Sequence, residues 1–434
     1  MDSALLASLL DEDALRAAPA TARDAADALR RDGLPRPRDE AWKYTSLRAL
    51  EQRQYVAGDA AAATRAVDAA ALALAGLDGP RLVFVNGVFR VDLSLLPVTA
   101  GLSITPEGRG TMDGLAFERL ADGPFPASVV AGQARADAFA RLNAALAPAA
   151  AVVRVDAGVQ VDAPVHLVHC ATPSDAAVAW QGRLQVQLGA GARLRLVEHH
   201  LALGDAPHFG NVVGTWHLGA EARLDLVQVQ DAHAAATLVR RDVFAVGARA
   251  RLALHAMDLG AQLMRHDITV DLAGNGARFD ARGVFALRAR QHADTHLVVR
   301  HAARDTTCDI AWRGVADERS RGVFHGGITV APGADGSDAQ LSSRNLLLSP
   351  AAEIDTQPVL EIHADEVKAA HGATVGQLDD RALFYLRSRG IPLGLARQLL
   401  VAGFCRAMLE GIEPDALRAP LESLLATRVA SADD

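Results

Sequence analysis

Lysine is nearly missing from this chain, with Lys43 and Lys368 standing against 42 arginines among 434 residues. A Gly-x-x-x-x-Gly-Lys-Ser/Thr phosphate loop needs a lysine where neither of these falls, so ATP hydrolysis by the chain itself is not expected. No Gly-x-Ser-x-Gly nucleophile elbow occurs either. Cysteine is scarce: Cys170, Cys308 and Cys405 lie far apart with no Cys-x-x-Cys. Three separated thiols read as reduced and intracellular, and they exclude a local four-thiolate iron–sulfur motif. No apolar run approaches the roughly 18 residues of a membrane span. The acidic start through Asp11-Glu12-Asp13 lacks the basic region of a secretory signal, so a cytoplasmic protein is expected. A net charge of −8 and a pI near 6.0 leave no footprint for nucleic acid. Aromatic residues make up only 4% of a chain that is 50% hydrophobic, which predicts thin layers packed through Ala, Val and Leu.

What is present divides the chain into three. Residues 1–149 read as a helical and mixed region, with Leu5, Leu6, Leu9, Leu10, Leu15 and Leu29 at helical spacing. A hairpin is predicted at Asn86-Gly87 and a helix over 134–146. Residues 150–368 contain an internal repeat. Leu188-Gly189-Ala190-Gly191-Ala192-Arg193-Leu194 returns at Leu218–Leu224, at Val246–Leu252 and at Ala273–Phe279, with glycines 30, 28 and 27 residues apart. Each copy reads as a turn, its glycine supplying positive φ, followed by inward Leu alternating with outward Arg or Asp. One coil of that length cannot bury its own apolar face, so coils must stack. The expected fold is mainly β: a parallel β-helix core between helical ends. The recurring Arg would form an outward ladder, either a solvated face eased by Asp and Glu or an anion-binding strip. Residues 369–434 read as a helical domain, with Asp379 capping a first helix, Gly390 closing it and Pro414 opening a third.

Candidate chemistry concentrates near the end of the repeat. His371 follows Lys368 by three residues and precedes Gly372, where the strand pattern gives way to helix. Gly372 and Gly376 would let the backbone turn tightly and expose an imidazole able to bind a borderline metal, with Lys368 nearby to hold down its pKa. A plain hydrogen-bonding role for this histidine is the alternative. Glu361, His363 and Asp365 alternate as if on one strand face and could form a metal or acid–base site, or simply a polar outer face. His199 and His200 would point to opposite faces. His292, His296 and His301 have ligand-like spacing without assured convergence.

Together, Asp365-Glu366-Val367-Lys368, His371-Gly372-Ala373-Thr374-Val375-Gly376 and Leu383–Ile391 resemble the signature of the SufD branch of the SufB/SufD family. Gln291-His292, Trp312–Val315, Arg321–Phe324, Asn345–Ser349 and Trp42-Lys43-Tyr44-Thr45 extend the resemblance over most of the chain. It implies a right-handed parallel β-helix and a non-catalytic scaffold subunit of the SUF iron–sulfur assembly complex. The implied partners are a SufB-type sister, meeting it through the β-helix, and a SufC-type ABC ATPase on the C-terminal helices. Self-association in their absence is a further expectation. A transient iron–sulfur cluster would be shared with the sister, reduced flavin can accompany the complex, and His371 would assist assembly, with Lys368, Gly372, Thr374 and Gly376 supporting it. Ala369 departs from the family, many of whose members carry Cys there. Two alternatives are the cluster-carrying SufB-like sister and a β-helix polysaccharide lyase or hydrolase.

Overall fold

The computed structural model describes residues 3–16, 18–58, 64–74, 77, 79–96, 101–106, 138–146 and 150–429. Its centre is a parallel β-solenoid of about eight turns. One wall holds β5 (Ala151–Val155), β7 (Val178–Leu188), β9 (His208–Leu218), β11 (Thr237–Val246), β13 (Leu263–Leu272), β15 (His292–His301), β17 (Arg321–Val330) and β19 (Glu353–Ile362). The facing wall holds β6 (Val165–Ala171), β8 (Arg193–Ala202), β10 (Arg223–Asp231), β12 (Arg251–Asp258), β14 (Arg278–Leu287), β16 (Thr307–Ala316), β18 (Asp338–Leu347) and β20 (Lys368–Gly376). Successive strands of each wall pair in parallel and in register, so each coil lies directly over the last. Inward positions such as Leu194, Leu224, Leu252 and Phe279 stack into one continuous core between the walls.

The repeat's turns work differently from the sequence-based expectation. Gly189, Gly219 and Gly247 do not carry the positive φ; it falls two residues later, on Gly191, Glu221 and Arg249. The repeated glycines are there because coils nest. A Cβ on Gly189 would meet the Ala157 nitrogen at 2.5 Å, and one on Gly247 would meet the Leu218 oxygen at 2.7 Å. The ladder Arg193, Arg223, Arg251, Arg278 is present in register. Asp225 lies 3.7 Å from Arg193, and Asp280 lies 3.2 Å from Arg251 and 2.8 Å from Arg278. Two carboxylates thus ease three of the four arginines.

Both helical ends lie against the outside of the walls. The leucine run near the start is three helices rather than one, α1 (Ala4–Leu9), α2 (Glu12–Arg16) and α3 (Ala20–Asp32), the last opening after Pro19. With α4 (Arg48–Glu51) and α5 (Ala138–Leu146) they bury Leu5, Leu29, Trp42 and Phe139 against Ala179, Phe209, Val239 and Leu263 of the first wall. The expected helix over 134–146 is therefore observed from Ala138; its earlier part lies outside the described residues. β1 (Val56–Ala57) pairs with β7. The Asn86-Gly87 hairpin joins β2 (Arg81–Val85) to β3 (Val88–Phe89), both turn residues having positive φ as such a tight turn requires. β4 (Leu102–Pro106) runs antiparallel to β5. At the other end come α6 (Asp380–Ser388), α7 (Leu393–Arg406) and α8 (Asp415–Val429). The Asp379 carboxylate accepts from the Arg381 amide at 2.9 Å, capping α6. Val401, Cys405, Leu409, Leu417 and Leu421 pack on Val227, Val229, Met257 and Val284 of the second wall.

Close nesting makes a test of the turns. Gly247→Ala is expected to cost about 1–3 kcal/mol through overpacking, read as a lower urea midpoint with unchanged β-sheet circular dichroism.

Candidate functional site

The solenoid has no further coil beyond β19 and β20, and that end carries the sequence-predicted residues. Strand β20 pairs only with β18 and β19 only with β17, leaving two edges whose outer backbone groups have no strand partner among the described residues. Register then fixes which way each side chain points. His371 stands over Leu341, a core residue, and so occupies a lumen position. It is exposed because no described residue covers it. The same row holds Ala369, Ala373 and Val375, and β19 opposes it with Ile354, Thr356, Pro358 and Leu360. The open mouth is thus apolar, with one imidazole in it.

Several details differ from the sequence-based expectation. His371 lies within a strand, not at a strand–helix junction, because pairing continues to Gly376. Lys368 falls on the opposite face of β20 from His371, so its ammonium does not stand over the imidazole. It shares that outer face with Gly372, Thr374 and Gly376. Neither glycine has positive φ, and a Cβ on either would meet no atom within 4 Å. Within this chain alone their small size has no steric purpose. In an edge strand, that pattern suits close approach by another backbone. Strand β19 ends at Ile362, so Glu361, His363 and Asp365 do not share one strand face.

The histidines with ligand-like spacing divide between two faces, His292 and His296 joining one outer Thr45–Asp294 network and His301 facing inward. His292 meets the Thr45 hydroxyl at 2.9 Å, His296 lies 3.2 Å from Asp294, and inward His301 lies 3.2 Å from the Cys308 sulfur. All three thiols are buried, and burial pushes each up to about 12. None offers an accessible thiolate at neutral pH. On α6 and α7, Phe384 is 74% exposed, Tyr385 57% and Leu399 48%, large apolar side chains that no described residue covers.

Residues 170–404 match the family model described as "SUF system FeS cluster assembly, SufBD core domain", more than half of the chain. The chain belongs to the SufBD family. It is 29% identical to the iron–sulfur cluster assembly protein SufD of Escherichia coli, over 90% of this chain and 88% of that protein. A SufBD family protein of Synechocystis is 30% identical over 93% of this chain and 89% of its own length. SufD of Bacillus subtilis is 27% identical over 66% of each. No described helix is long and apolar enough to cross a membrane.

Two features of this SufBD-family chain carried little sequence signal. The first explains Trp42-Lys43-Tyr44-Thr45. Arg265 stacks over Trp42 at 4.4 Å and donates to the Ala41 carbonyl at 2.8 Å and to buried Asp294 at 2.6 Å. Thr45 donates to the same carboxylate. Lys43 pairs with Glu40 at 2.6 Å, beside Tyr44. The segment therefore clamps the N-terminal helices to the first wall. The second feature is a charged network inside the lumen around Arg240, whose members break the inward apolar alternation of β8, β11 and β13.

The clamp predicts an acid response. Burial alone would raise the pKa of Asp294, but Arg265, with His296 and Thr45, outweighs it and holds the carboxyl well below the ordinary range. A folded pKa below the unfolded one stabilises fully above about pH 4 and loses that stability as pH falls. Arg265→Met should cost about 3–5 kcal/mol at pH 7 by stranding a buried charge. Urea midpoints at pH 7 and pH 3.5 should fall with acidification in the wild type and much less in the variant.

Proposed function

We propose that this chain is a non-catalytic scaffold subunit in which the open solenoid mouth is completed by a SufB-type sister, and that an iron–sulfur cluster is built at the junction. The uncapped end with His371 in a lumen row carries this reading. A solenoid end normally needs a cap, and exposed edges are a ready template for strand addition from another chain. Gly372 and Gly376 leave room for that approach. Iron and sulfide are the cargo. An imidazole can hold one iron position, and the buried thiols here leave the sulfur ligands to the sister, which makes Ala369 in place of Cys compatible with the role. Lys368 and Thr374, on the outer face of β20, would contact the sister rather than the cluster.

The exposed Phe384, Tyr385, Leu393, Leu395 and Leu399 supply a surface for a SufC-type ATPase, whose ATP-driven dimerisation would shift the two solenoids against each other. Reduced flavin would belong to the assembled complex; no described residue marks a place for it. Without partners, two copies would meet through the same open end. A cytoplasmic location accords with three reduced, buried cysteines. The polysaccharide-cleaving reading loses its basis with the dispersal of Glu361, His363 and Asp365.

Affinity capture of the tagged chain from its own cells should recover an ABC-type ATPase and a larger, cysteine-richer family member. Recovery of the chain alone would count against the scaffold role. His371→Ala should leave that recovery intact while lowering cluster formation, read as visible absorption of the reconstituted complex. Val375→Arg should instead reduce capture of the sister at least tenfold, because it places a charge in an apolar mouth.

A further inference from the structure

Far from the open end, the lumen holds charged groups that the assembly role does not use. Glu198, Arg240 and Asp242 are all buried to 1% exposure or less. The Arg240 guanidinium spans both carboxylates, donating to Asp242 at 2.5 and 2.9 Å and to Glu198 Oε2 at 2.6 Å, with Nη1 on Oε1. Asp242 is further satisfied by Trp216 at 2.8 Å, Gln228 at 3.2 Å and His266 at 2.9 Å. Glu198 faces something else. His200 Nε2 lies 3.1 Å from Oε1 and His169 Nε2 lies 3.4 Å from the same oxygen.

Those two imidazoles come from register partners on β6 and β8 and stack at 4.6 Å, with Trp180 and Phe84 against His169. His169 is only 5% exposed, yet neither of its ring nitrogens has a hydrogen-bond partner, and His200 Nδ1 has none. A buried unpartnered imidazole aimed at a carboxylate is expensive unless something bridges them. The donor atoms of His169, Glu198 and His200 all lie within 4.8 Å of one another. Bonds of about 2.0–2.2 Å in a tetrahedral shell put neighbouring donors roughly 3.4 Å apart. The observed spacings to Oε1 fit that shell.

We propose that His169, Glu198 and His200 form an internal site for one borderline divalent transition-metal ion, Fe²⁺ or Zn²⁺. Two imidazoles and one carboxylate are the donor set such ions take. Charge agrees: Glu198, Asp242 and Asp258 line the lumen around the single Arg240 guanidinium, an excess of carboxyl groups that a cation offsets. Arg240 is the competitor. Its Nη1 touches both Glu198 Oε1 and, at 2.9 Å, His200 Nε2, while its two bonds to Asp242 can hold it in place when Nη1 yields. The site is independent of the pairing proposed for the open end.

The test uses the full-length chain, stripped with chelator and titrated with Co²⁺ under equilibrium dialysis and visible spectroscopy. One ion per chain with tetrahedral d–d absorption is expected. Binding should weaken at least a hundredfold in His169→Gln, tighten about tenfold in Arg240→Gln and stay unchanged in His217→Gln, an exposed histidine of the first wall. No binding by stripped wild type, or wild-type affinity in folded His169→Gln, overturns the proposal. Should His169→Gln fail to fold, X-ray absorption of the Zn²⁺-loaded wild type decides. Two imidazole nitrogens with carboxylate oxygen support the site, and any other shell removes it.

Discussion

A coil of this solenoid has no interior until another lies on it. Backbone amides of the interior strands are satisfied by the strand above and below, and the apolar row of each coil is covered only by its neighbours and the opposite wall. The in-register stacking of Arg193, Arg223, Arg251 and Arg278 shows how strictly this is kept. The glycines at the turns follow from it, since backbone passes over backbone with no room for a Cβ. So do the helical ends, which cover the outer faces of the two walls but not the last pair of edges.

The repeat was legible because it is periodic: a turn, an outward Arg and inward Leu recur at nearly constant spacing, and stacking is the one way to bury them. The purpose of its glycines was not legible. Proximity between coils is a long-range contact, whereas a glycine beside a turn looks locally like a φ requirement. The N-terminal helices were visible in their leucines, but Pro19 divides them more sharply than the spacing suggested.

The last strand shows where sequence reasoning runs out. Its lumen row reads Ala369, His371, Ala373, Val375, a faint alternation because this row has no coil above it. It therefore looked like the start of a turn. His371 does face the mouth, but the partnership assumed with Lys368 disappears once strand parity is known. Trp42 and Thr45 carried recognisable sequence, yet their contacts with Arg265 and Asp294 join positions more than 200 residues apart. No spacing rule reaches that far. The lumen cluster was hidden for a similar reason: His169, Glu198 and His200 become neighbours only after β6 and β8 are aligned.

The two ends of the solenoid are unlike. At the first coils the sheets finish in antiparallel strands, β3 on one wall and β4 on the other, while the last coil stops with its parallel edges bare. A rod sticky at both ends would add subunits head to tail into a fibre. One sticky at a single end can only meet another such end, and growth stops at two. Were strand addition confined to the parallel edges of the last coil, the polarity of the fold would set a ceiling on assembly size.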